Sequence, residues 1–151
     1  MIEPPRFPAL PRRAALVGLA YGVMVYGWLS LEDNGALAPA LIGTGAISLI
    51  GLRWLLITLG GKDIRLSRAA WWIGGMLWGA SLGAGSATGA ALLMLLKNGL
   101  HGHAYPDYPF NVIAAMLARL PAWSAAGALI GLGGTLLMLN GYWKRRADDN
   151  S

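Results

Sequence analysis

Residues 69–96 read AAWWIGGMLWGASLGAGSATGAALLMLL, twenty-eight positions without a charged side chain. A helix needs about 20 mostly apolar residues to cross about 30 Å of hydrocarbon, so this stretch is long enough to span a bilayer. Gly75, Gly79, Gly83, Ala87 and Ala91 recur at every fourth position, and Ser81, Gly85 and Gly89 form a second row. Residues four apart share one helix face. In water each glycine weakens a helix by about 1 kcal/mol relative to alanine, so such rows need a compensating use. Within lipid they have one. A bare row lets a neighbouring backbone approach closely, and that contact holds helices together where lipid supplies no hydrophobic incentive. Small residues on more than one face place this segment at the centre of a bundle.

Three further apolar blocks, at 14–31, 37–59 and 121–142, flank the central one. Each carries small residues at helical spacing: Gly18 and Gly22 in the first, Gly43 and Gly51 in the second, Gly127 and Gly131 in the fourth. The expectation is an all-α polytopic membrane protein with four transmembrane helices and one short interfacial helix. Residues 1–13 form a proline-rich cytoplasmic arm, 14–143 a single transmembrane domain, 97–120 an external loop and 144–151 a cytoplasmic tail.

Composition agrees. Hydrophobic residues make up 56% of the 151 positions and charged ones 13%. A soluble domain carries about 25% charged residues, and half that leaves too little polar surface to coat a globule in water. Disorder requires the reverse balance. With no cysteine, disulfides, zinc–thiolate sites, iron–sulfur clusters and cysteine nucleophiles are excluded. The sequence requires no cofactor.

The net charge of +5 does not indicate nucleic acid, because the basic residues lie in short clusters between apolar blocks. Arg6, Arg12 and Arg13 precede the first block; Lys62, Arg65 and Arg68 separate the second from the third; Lys144, Arg145 and Arg146 follow the fourth. Those nine share one side, against Lys97 and Arg119 on the other, with Arg53 inside a span. Cytoplasmic loops are the ones enriched in Lys and Arg, so both termini are expected in the cytoplasm. Glu32 and Asp33, with Asn34 and Gly35, make a tight external turn. Trp28 and Trp123 fall at outer boundaries and Trp71, Trp72 and Trp143 at inner ones, the headgroup depth that indoles favour. Trp54 and Trp78 sit deeper, as packing residues. Pro4, Pro5, Pro8 and Pro11 favour an extended arm, and the first block reads as an uncleaved signal anchor. A bacterial inner membrane or an energy-converting internal membrane suits this pattern.

Five candidate features follow. Arg53 is the ionisable residue within a span, where charge is costly and marks function by default, although its nearness to the Lys62 cluster lets it snorkel toward the headgroups. No Asp, Glu or His lies within a span, which counts against proton- or sodium-coupled transport. His101 and His103 are two apart, which brings both rings to one side of an extended backbone, and with Asp107 they form a possible metal or pigment ligand set. After Pro109, residues 110–120 form an apolar segment too short to span, which lies along the outer interface or tucks into the bundle. Gly79-Ala80-Ser81-Leu82-Gly83 matches a nucleophile-elbow pattern, but that motif requires a strand–turn–helix context. Asn140 reads as polar adhesion between helices.

These features point to a non-catalytic membrane subunit or assembly factor, whose partners are the bilayer and either other transmembrane proteins or further copies of itself. The alternatives are a small oligomeric channel with Arg53 on an anion path, and a metal- or pigment-ligating subunit using His101, His103 and Asp107.

Overall fold

The computed structural model describes residues 13–31, 35–59, 66–102 and 105–148. The proline-rich arm, the Glu32–Asn34 turn, Lys62, Arg65, His103 and the last three residues lie outside the described residues. All described elements are helices: α1 (Arg13–Leu29), α2 (Leu37–Leu59), α3 (Arg68–His101), α4 (Phe110–Leu117) and α5 (Leu120–Asp148). Three stretches are long and apolar enough to cross a membrane: Leu37–Leu59, Arg68–His101 and Phe110–Asn140. Helix α1, at 17 residues, stands at the lower limit of what spans.

Helix α3 is the element against which α2, α4 and α5 all pack. Its glycine rows show why. A methyl group built at Gly79 would stand on the carbonyl oxygen of Gly127, and one at Gly127 on the carbonyl oxygen of Gly79. Gly75 meets Gly131 and Thr135, while Gly83 meets the Trp123 carbonyl. The partner number falls as the α3 number rises, so the two helices run antiparallel with their backbones in contact. The second row faces α2: Gly85 and Gly89 lie against Ile47, and a methyl group built at Gly43 would stand 2.6 Å from the Ala90 nitrogen. Gly51 accommodates Leu82 and Trp78, and Trp78 stacks on Trp54 at 4.9 Å between ring centroids.

Five hydroxyls within the helices are satisfied locally. Thr44, Ser81, Ser86, Thr88 and Thr135 each donate to the carbonyl four residues earlier, which removes a polar cost in lipid. Ser81 thus sits in a continuous helix, not on a strand–turn–helix elbow. His101 lies twenty residues further along the same helix, about 30 Å away at 1.5 Å per residue.

Helix α1 is held differently. Gly18, Gly22 and Gly27 have nothing within 4 Å of a built Cβ, and α1 reaches its neighbours through Tyr21, Val25, Trp28 and Leu29. The Tyr21 hydroxyl donates to the Ile42 carbonyl. Trp28, at the end of α1, is buried in the core with Ile42, Met94, Ile113 and Met116.

Candidate functional site

The polar residues concentrate where α3 ends. The helix does not stop at Leu96 but continues through Lys97, Asn98, Gly99, Leu100 and His101, until Gly102 adopts a left-handed conformation (φ 54°). Glycine takes that conformation without steric penalty, and the Gly102 N–H closes the helix on the Asn98 carbonyl at 3.4 Å. The expected external loop 97–120 is therefore mostly helical, with a turn at residues 105–109 leading into α4.

That turn folds back on the helix. The Asn98 amide donates through Nδ2 to the Tyr108 carbonyl at 2.7 Å, and its Oδ1 accepts the Tyr108 N–H at 2.9 Å. One side chain thus satisfies both backbone groups of a residue that is 1% exposed. The Tyr108 hydroxyl donates to the Gly35 carbonyl at 3.3 Å, tying the turn to the start of α2. His101 Nδ1 and Asp107 Oδ2 form a second tie across the turn. Helix α4 then buries Ile113 and Met116 against this end, leaving Phe110 outside.

Lys97 lies at the centre of the assembly with no exposed surface. Its ammonium stands 4.7 Å from the ring centroid of Trp28 and 5.8 Å from that of Tyr108. The negative faces of the two rings stabilise a cation that has left water. The Trp28 indole nitrogen is buried without a hydrogen-bond partner among the described residues.

The sequence-derived residues fare unequally. His101 and Asp107 are brought together, with the imidazole oriented by the carboxylate. Among the described residues no group of three His, Cys, Asp or Glu side chains could hold a metal ion, and His103 is outside them. Arg53 is exposed on α2, on the outside of the single chain, as is Asn140 on α5. Gly43, Gly51, Gly75, Gly79, Gly83, Gly85, Gly89, Gly127 and Gly131 all sit at helix–helix contacts, whereas Gly18 and Gly22 do not.

Lys97, Asn98 and Tyr108 carry no local signal in the sequence, where the first charge after Leu96 marks the end of an apolar span. The available signal was Gly102 one turn beyond Asn98, the position of a helix-capping glycine. Comparison with protein-family models, curated proteins and solved structures finds no match to this chain.

Proposed function

We propose that the chain is a non-catalytic integral membrane protein that serves a larger membrane complex as an accessory subunit or assembly factor. In this reading α1 is a fourth crossing, both termini are cytoplasmic, and α4 lies at the outer interface. The nine-to-two distribution of basic residues supports the orientation.

The observation that carries the association is a surplus of small residues outside the internal contacts. Two rows on α3 are used against α2 and α5, yet Gly18 on α1 and Gly133 and Gly134 on α5 have open space above them. Around them Leu19 is 67% exposed, Ile130 76% and Leu137 75%, a surface suited to another helix or to lipid. The cluster around Lys97 supports a structural role, because its described polar contacts tie chain segments together rather than converge on a vacant centre.

Purification at native abundance in mild detergent, followed by mass measurement of the intact particle, tests this proposal. A stoichiometric membrane partner, displaced by Gly18→Leu together with Gly134→Leu while the helix content stays unchanged, is the expected result. A lone monomer throughout overturns it.

A further inference from the structure

We propose that the groove between α1, α2 and α3 holds one acyl chain of an anionic phospholipid whose phosphate is bound by Arg53. The inference rests on the chain being embedded in a bilayer and is independent of the accessory role.

The groove measures about 450 Å³ and is lined by apolar side chains and bare backbone, including Gly22, Val25, Ile42, Ala46, Gly89 and Leu93. Tyr21 also borders it, but its hydroxyl is committed to the Ile42 carbonyl. A helix is about 10 Å across, so this volume encloses only about one helical turn. A partner's transmembrane segment does not fit inside, whereas a flexible hydrocarbon chain does.

Charge places the headgroup. Lys97, near one end of the groove, is fully buried against Trp28 and Tyr108 and is inaccessible to a lipid phosphate. Arg53 is exposed on α2, six residues beyond Ile47, the last residue of that helix to line the groove. Ile42, Ala46 and Arg53 fall within about 20° of one line on α2, since seven and eleven residues are close to whole numbers of 3.6-residue turns. The groove wall therefore continues as a stripe to the guanidinium. Ile42 to Arg53 rises about 16 Å, close to the roughly 15 Å thickness of one leaflet's hydrocarbon.

Arg53 lies within a span, and its long stem lets the guanidinium snorkel toward the headgroup layer. An arginine at that position attracts anionic headgroups in preference to zwitterionic ones.

The test is native mass spectrometry of the full chain in mild detergent, titrated with dioleoyl phosphatidylglycerol or dioleoyl phosphatidylcholine. The anionic lipid should bind about fivefold more tightly, the scale of one basic residue near a membrane surface. Arg53→Gln should reduce the two lipids to equal affinity, and Arg53→Lys should keep most of the preference. Gly22→Leu, which projects into open space and so leaves the fold intact, should weaken both lipids while keeping their ratio. Equal binding of both lipids to the unaltered chain, or a preference that survives Arg53→Gln, overturns the assignment of the phosphate. Unchanged affinity in Gly22→Leu overturns the assignment of the groove.

Discussion

At Gly79 the structure leaves no room for even one carbon atom, since a methyl group there would overlap the backbone carbonyl of Gly127. A backbone wall cannot rotate away as a side chain can, so Gly79→Ala must push α3 and α5 apart. Overpacking of this kind typically costs about 1–3 kcal/mol. Gly133→Ala, with nothing within 4 Å of the new carbon, should leave stability unchanged or raise it slightly through better helix propensity. Unfolding of the two variants in matched micelles, followed by circular dichroism, separates these outcomes. The contrast also shows what single residues disclosed in the sequence. The four-residue spacing of Gly75, Gly79 and Gly83 was enough to identify a contact face, because periodicity alone defines a helix face. The same spacing at Gly18 and Gly22 identified no contact. A row of small residues states that an approach is permitted, and only the neighbour's position states whether it happens.

At the level of elements, the turn between α3 and α4 is held by Asn98 more than by its own residues. Asn98→Ala removes both hydrogen bonds to Tyr108 and leaves its buried N–H and C=O without those partners. Leaving a buried polar group unsatisfied costs about 1–3 kcal/mol. The variant should therefore expose residues 105–109 to limited proteolysis while α3 and α5 remain resistant; unchanged cleavage would contradict the clamp. The length of α2 and the start of α5 are legible from hydropathy, because an apolar block in lipid has to be helical, whereas α5 runs on to Asp148, past the apolar block that ends at 142. The end of α3 was less so. Lys97 looked like the first residue in water, whereas Trp28 and Tyr108 together let it remain buried on the helix. Those rings come from positions 69 residues before and 11 after Lys97, and no local pattern announces that they converge. The segment 110–120 was expected to be one helix and is instead α4 followed by a bend at Ala118 and Arg119, with Pro121 in the first turn of α5. Proline fits that turn because its missing N–H is not needed there.

For the whole molecule, the central claim is that lipid is the solvent for most of the chain, with α3 in the middle and both ends on one side. All-helical architecture and three spanning stretches support the membrane part of this claim. The position of α1 decides the remainder: if it crosses, the two ends share a compartment, and if it lies along the surface, they do not. The absence of cysteine makes the question directly measurable, because each introduced thiol is the only one present. Single cysteines at Pro4, Leu66, Tyr105 and Ser151 can be probed with a membrane-impermeant maleimide on sealed, oriented vesicles. With four crossings, Pro4→Cys, Leu66→Cys and Ser151→Cys are labelled from the cytoplasmic side and Tyr105→Cys from the opposite side. Labelling of Pro4→Cys and Ser151→Cys from different sides, or of Leu66→Cys and Tyr105→Cys from the same side, would contradict that threading.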